Sequence, residues 1–380
     1  MRTLTMKRLL MIAGFLVSFP SSLWAGHFEF DASGLMGGYY GIAQTRKHDN
    51  VKNNPYRWVY RADVSVKLNY RLSEEHYLGL HTSNTLVLRD PDTSYPHGDW
   101  RFYPYLVDES PWGKFTAGYT YNAAYLLHKG ARDITFFKID DSNMTYFLSN
   151  PNWSNGRKSV SYQTPKSTSI MNDGRAVKFS YFTPRLGNTV LGFSYAPDNA
   201  SRRGTGSRYL DYETPEDGYV AAMQNKWQVK DTEIYTSFGY GIFNRTDKEA
   251  SFGITLIRGH WNMGMGYKKA YIDGNKNPIT TVSDNPQTPA YFDNFRESQA
   301  WNFSIGCQYG AWKSNLAYLH TKADNTRNRD DLWVFSNLYA LTEHFELYLV
   351  GSYLNAKGLS RAGDDNNRGY AVVTGVGFRF

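Results

Sequence analysis

Cysteine is almost missing from this chain. Cys307 is the only one in 380 residues, which excludes an internal disulfide framework and any cysteine-rich metal site. After the first two dozen residues there is also no apolar run of the roughly 20 residues that a membrane helix needs. An excess of one charge is lacking too: 42 Lys and Arg stand against 35 Asp and Glu. Without Arg2, Lys7 and Arg8 the basic count falls from 42 to 39, leaving +4. That balance, with no Arg-rich tract beside stacking aromatics, excludes nucleic acid as a partner. The nine His never stand at H-x-x-x-H spacing, and no Gly-x-Ser-x-Gly motif occurs. No metal, cofactor or enzymatic activity is expected. His81 has Ser83 two residues away on its own face, but a solvated wall histidine is the plainer reading.

The amino-terminal end carries an export signal. Arg2, Lys7 and Arg8 precede the apolar stretch 9–17, and Ser21-Ser-Leu-Trp-Ala25 offers a cleavage site near Ala25. The apolar stretch is too short for a membrane anchor. Aromatic residues are abundant, at 16%, with 30 Tyr, 22 Phe and 10 Trp, enough for aromatic belts at two membrane interfaces.

Alternation carries most of the information. In 56–71, Arg57, Arg61, Asp63, Ser65, Lys67, Asn69 and Arg71 take odd positions, and Trp58, Tyr60, Ala62, Val64, Val66, Leu68 and Tyr70 take even ones. A period of two is a strand with two different faces. Sixteen residues without a break is long for a soluble protein, where strands average about 5–6 residues. Lys or Arg on a lipid-facing side near the midplane costs about 2–4 kcal/mol each, so the odd face must meet water. The last residues behave alike. Tyr370, Val372, Val376, Phe378 and Phe380 share one parity, against Ala371, Val373, Gly375, Gly377 and Arg379 on the other. Left open, such an edge invites aggregation, whereas a closed barrel removes it.

Similar strands are expected at 27–42, 76–88, 99–108, 113–121, 175–183, 189–196, 218–229, 232–243, 249–258, 260–272, 299–309, 312–322, 331–341, 344–357 and 370–380. With 56–71 they number sixteen. Short turns alternate with longer polar links, as in a barrel whose two termini lie on the periplasmic side. Ser159–Gln163 also looks like a strand, but counting it makes the total odd, so it is assigned to the long link 122–174. The reading is all-β: a 16-stranded antiparallel transmembrane β-barrel (26–380) with the long third loop folded into the lumen.

These residues resemble the Gram-negative general porins, in particular the α-proteobacterial type. The resemblance covers essentially the whole mature chain. Its local marks are Trp112-Gly-Lys-Phe-Thr-Ala-Gly118, Phe179-Ser-Tyr-Phe-Thr-Pro-Arg185, Gly192-Phe-Ser-Tyr-Ala-Pro197 and the closing Gly377-Phe-Arg-Phe380. The closing mark is common to most outer-membrane barrels, and Tyr-Phe-Thr-Pro-Arg is more specific to porins. The resemblance implies sixteen strands, a homotrimer in outer-membrane lipid, Phe380 as the signal for the barrel-assembly machinery, and a third loop bent into the pore.

Loop 122–174 holds Tyr125, Phe136, Phe137, Ile139, Met144, Tyr146, Phe147, Leu148 and Trp153, anchors that a floppy external loop would not need. Its acids are Asp133, Asp140 and Asp141; it also carries Lys129, Arg132, Lys138, Arg157 and Lys158. Arg57, Arg61, Lys67, Arg101, Lys114 and Lys178 have lumen parity on early strands and are the expected basic wall opposite those acids. Facing charges at a narrow point select ions. The function expected is passive diffusion of small hydrophilic solutes and ions, with a weak preference for anions. A channel specific for anions or sugars is the alternative, and a plugged structural or adhesive barrel a third reading. Asp364, Asp365, Asn366 and Asn367 could hold a cation in an outer loop, though plain solvation accounts for them.

Overall fold

The structure is a computed structural model that describes residues 26–45, 56–89, 99–135, 137–140, 144, 147–148, 166–171, 173–197, 217–243, 247–271, 297–324, 328–357 and 366–380. Four long strands come first: β1 (His27–Thr45), β2 (Tyr56–Ser73), β3 (His76–Arg89) and β4 (Asp99–Ser110). Three short ones follow, β5 (Gly113–Tyr119), β6 (Val177–Phe182) and β7 (Thr189–Ala196). The longest connection joins β5 to β6 and begins with a five-residue helix, α1 (Ala123–Leu127). The wall continues through β8 (Gly218–Val229), β9 (Thr232–Phe243), β10 (Asp247–Arg258), β11 (Trp261–Tyr271) and β12 (Glu297–Tyr309). It ends with β13 (Trp312–Ala323), β14 (Arg329–Ala340), β15 (Phe345–Lys357) and β16 (Asn367–Arg379).

Each strand pairs antiparallel with its neighbours in sequence, and β1 pairs with β16, so the sheet closes into one barrel of sixteen strands. The seam extends to the last residue, where Phe380 and Gly34 exchange backbone hydrogen bonds of 2.9 and 3.2 Å. The sixteen expected strands are all present, and the largest boundary errors are at the end of β1 and the start of β16. Ser159–Gln163 lies outside the described residues, and the barrel closes without it. Two-residue turns join β10 to β11 and β12 to β13, with Gly259 and Gly310 at φ 54° and 55°, a region that glycine enters without a Cβ clash.

Alternation sorts the faces. On β11 Trp261, Met263, Met265 and Tyr267 are exposed, whereas Gly264, Gly266, Lys268 and Ala270 are buried. Cys307 shares the outward parity of Trp301 and Phe303. Trp112, Trp261, Tyr309, Trp312 and Phe345 are exposed around the end with the short turns, a belt of aromatics suited to an interface.

The inner face is not polar throughout. On β13–β15 the inward residues Leu319, Leu332, Val334, Leu338 and Val350 are fully buried, with outward Trp333 and Phe335 exposed. The inner residues have an apolar partner. They join Phe137, Ile139, Met144, Phe147 and Leu148 of the long connection in one cluster. A second cluster joins Ala123, Ala124 and Ile170 of the connection to Phe182, Val220, Ala222 and Phe243 of the wall. Among the described residues both buried apolar clusters thus join this connection to inward residues of the wall.

Candidate functional site

The connection between β5 and β6 is fastened at its root. Lys178 on β6 has an exposure of 0%, and its Nζ donates to the carbonyls of Thr120 (2.6 Å), Gly174 (3.1 Å) and Ala176 (3.0 Å). Asp173, 1% exposed, completes the set at 3.4 Å. Asn122 caps α1 by accepting from the Tyr125 N–H (2.8 Å) and donates to Ile170 O and Asp173 Oδ1 at 3.1 and 2.7 Å. Both ends of the loop are therefore tied to one buried lysine and one buried asparagine.

From that root the loop is hydrogen-bonded to side chains of successive strands. Ala123 N–H donates to Ser194 Oγ on β7 (2.8 Å), and Lys129 N–H to Ser237 Oγ on β9 (2.8 Å). Thr255 on β10 donates to Gly130 O at 2.9 Å. Arg132 N–H reaches Ser304 Oγ on β12 (2.7 Å), and Asn315 on β13 donates to Arg132 O (2.9 Å). Thr135 donates to Ser336 Oγ on β14 at 3.3 Å, and the Phe137 ring meets Tyr39 of β1 edge-on with centroids 5.1 Å apart. Glycines give the loop room: a Cβ on Gly253 would sit 2.0 Å from Lys129 O, and one on Gly264 2.3 Å from Gly130 O. These bonds run from β7 to β14, and the apolar cluster of the same connection takes in Tyr39 of β1, Val59 of β2 and Val87 of β3.

On β2–β5 positive charge is matched by negative. Arg61 forms a two-point pair with Asp63 (2.5 and 2.8 Å), and Thr85 also donates to Asp63. Lys67 pairs with Asp31 at 2.8 Å, Lys114 with Glu109 at 3.1 Å, and Arg71 with Glu29 at 2.6 Å. Two of the loop acids are held by other partners. Asp133 Oδ1 accepts from the Ile139 N–H (2.7 Å), and desolvation pushes its carboxyl up to about 7. Asp140 accepts from the Thr168 N–H and hydroxyl (3.1 and 3.0 Å) and from Asn302 Nδ2 (2.8 Å). Burial holds His128, which touches Thr168 Oγ1 at 3.1 Å, below its usual range.

A family model described as Gram-negative porin matches residues 21–359. The chain belongs to the Gram-negative porin family. The porin is thereby an outer-membrane channel protein. Its fold is similar to that of the anion-selective porin from Comamonas acidovorans: 11% identity, TM-score 0.56, covering 93% of this chain and 100% of that one. The trimer form of OmpT, an outer membrane protein of Vibrio cholerae, gives 11% identity and a TM-score of 0.54, covering 93% and 99%. A mutant of the Rh. blastica porin gives 10% identity and 0.51, covering 93% and 100%. No curated protein sequence matches the chain.

Within the porin the sequence-derived site residues fare unequally. Arg57, Arg61, Lys67 and Lys114 take the inward parity of β2 and β5. Arg101 lies on β4 in register with Thr85, and its side chain is not among the described residues. Lys178 needs correction: a lysine with no exposure whose ammonium is filled by three carbonyls and a carboxylate fastens the loop and does not line water. Four wall bases, Arg61, Lys67, Arg71 and Lys114, have their own carboxylates, and Asp133 and Asp140 serve the loop's internal structure. Asp141 and the group Asp364–Asp365 lie outside the described residues.

His81 Nε2 donates to Asn69 Oδ1 at 2.8 Å, while Ser83 is engaged by Arg175, so the two form no catalytic pair. Among the described residues no three His, Cys, Asp or Glu side chains are grouped as a metal site. Sequence reasoning missed Asn122, Asp173 and Arg175. It also missed the seat of the loop, for which a signal existed: Gly192, Gly239, Gly253, Gly264 and Gly266 all fall on inward positions of β7–β11.

Proposed function

We propose that this porin forms a water-filled channel for passive diffusion of small hydrophilic solutes and ions, narrowed by loop 122–174 lying inside the lumen. The observation that carries the reading is the succession of bonds from the loop to inward side chains of β7, β9, β10, β12, β13 and β14. A loop held that way reduces the free cross-section of a sixteen-stranded barrel from one side only. The remaining passage is bounded by the ion-paired wall of β2–β5. Weak anion preference is supported by the mature chain's charge of +4, from 39 bases and 35 acids. It is also supported by Arg132, Lys138 and Arg175, which no carboxylate among the described residues pairs.

Residues 1–25 are proposed as a secretory signal removed near Ala25; β1 begins at His27, just past that point. A homotrimer in outer-membrane lipid is proposed on the low wall at β5–β7. Six to eight residues make about 20–26 Å of strand, and a tilt near 45° leaves about 14–19 Å against an apolar band of ~25 Å. A neighbouring copy would cover that shortfall. Phe380, which shares backbone hydrogen bonds with Gly34 at the seam, is proposed as the signal read by the barrel-assembly machinery.

The test is single-channel conductance of the refolded protein in a planar bilayer, with reversal potential in a KCl gradient. Large, ohmic steps that do not saturate with salt are expected, with a reversal potential of anion-selective sign. Small saturating steps would favour the solute-specific channel, and a silent folded barrel would mean that the loop seals it.

A further inference from the structure

Arg175 differs from five described bases of this wall, Arg61, Lys67, Arg71, Lys114 and Lys178, each of which has a carboxylate. It precedes β6 and projects to β3 and β4, where its guanidinium lies 4.3 Å from the Tyr103 ring and 4.6 Å from the Tyr121 ring. Tyr121 in turn stacks on Tyr125, centroids 3.9 Å apart and planes 20° from parallel. One Nη1 donates to Ser83 Oγ at 3.3 Å, and Ser83 and Tyr103 are register partners on β3 and β4. Arg61, Lys67, Arg71, Lys114 and Lys178 each have a carboxylate; among the described residues Arg175 has none.

Resting on the diffusion-channel reading above, we propose that Arg175 is a binding subsite for the carboxylate or phosphate group of small organic solutes in transit. The Tyr103 and Tyr121 rings pack within 4.6 Å of the guanidinium carbon and Ser83 takes one N–H, which leaves N–H edges to offer a ligand. Those edges form a planar fork that matches the two oxygens of a carboxylate or phosphate, and a fork already held by stacking loses little freedom on binding. Chloride, a sphere, gains nothing from the fork. Tyr103 and Tyr121, whose rings lie against the guanidinium, and Tyr105, on which Arg175 acts electrostatically, bring further hydroxyl donors to the region. Lys67 and Arg175 both bear on Tyr105, so a second cation is close to the same place. The site lies at the root of the loop beside β3 and β4, with Arg175 half-buried.

The site separates from plain electrostatic selectivity by its geometry. A point charge at this position would shift the reversal potential; a fork would in addition be occupied and would saturate. The experiment is chloride current through single channels while succinate, and separately inorganic phosphate, is added at constant ionic strength. Wild-type current should fall saturably with at least one of the two, and which one does so assigns carboxylate or phosphate as the preferred group. Arg175→Lys keeps the charge and loses the fork and its stacking, so its half-blocking concentration should rise about tenfold or more at nearly unchanged reversal potential. Tyr121→Leu, which leaves the arginine in place but removes one stacking face, should give a smaller rise. Heat-dependent gel migration shows that each barrel is folded. If Arg175→Lys is blocked as readily as wild type, a bare charge suffices and the subsite is refuted. If the wild type conducts in large ohmic steps and neither anion blocks it, the subsite is refuted while the diffusion channel stands. A silent folded barrel overturns both.

Discussion

Lys178 and Asp173 form an ion pair of 3.4 Å with exposures of 0% and 1%, and together they hold both ends of the long loop. The pair is a clasp whose two halves lie on opposite sides of the loop's exit into β6. Removing one partner of a buried pair leaves the other uncompensated, at about 3–5 kcal/mol. Lys178→Met is therefore expected to lower the thermal unfolding midpoint and to release the loop, giving noisier and larger conductance steps. Asp173→Asn keeps a hydrogen-bond acceptor and should show the same change in weaker form. Thermal melts followed by circular dichroism, with single-channel recordings of the same samples, check both.

Seating of the loop depends on missing side chains. A Cβ on Gly253 would overlap Lys129 O at 2.0 Å, whereas one on Gly351 would meet nothing within 4 Å. Gly253→Ala should push the loop off β10 and change the unit conductance, and Gly351→Ala should leave it as in wild type. Equal conductance in the two variants would show that the loop does not rest on this wall.

Selectivity on the β2 wall is a matter of pairs. Asp63 neutralises Arg61 through two contacts, and Thr85 supports the carboxylate from β3. Asp63→Asn should move the reversal potential further toward the anion value, and Arg61→Ser should move it toward the cation value by leaving Asp63 unmatched. At the ~8 Å screening length of physiological salt, both effects should shrink as the salt rises. Reversal potentials in KCl gradients at low and high total salt measure them.

What could be read from the chain follows from what the surroundings impose. Lipid outside and water or protein inside penalise a misplaced residue at every second position, so strands such as 218–229 and 312–323 were legible nearly to the residue. The seating of the loop was not, because no periodicity relates Thr135 to Ser336, or Arg132 to Ser304, across some 170–200 residues. Lys178 has the same lumen parity as a pore residue, and only the burial around it separates a clasp from a solvated charge. The carboxylates opposite Lys67 and Arg61 were in the sequence, at Asp31 and Asp63, but pairing the first needs the β1–β2 register. Apolar inward residues on β13–β15 blurred the alternation there, since a face covered by a loop is as dry as one covered by lipid.

Acidity should act on the loop through two groups of opposite sign. Asp133 is pushed up to about 7 from an ordinary value of 3.8 by desolvation, so the folded loop prefers its protonated form. Its contribution to stability is complete below about pH 4 and is lost as pH rises through 7. His128 is lowered from 6.5 by burial, so the folded loop prefers its neutral form, and that contribution fades as pH falls below about 6.5. Asp140, Lys129 and Lys268 surround His128, and Asp140 and Lys138 act on Asp133. Between pH 6.5 and 8 the aspartate dominates: raising the pH should loosen the loop and increase open-channel noise. Asp133→Asn cannot ionise and should abolish that rise, leaving only the histidine's effect at acid pH. Noise spectra of single wild-type and Asp133→Asn channels from pH 5 to 8 decide it, and a rise toward pH 8 that survives in the variant would assign the titration to another group.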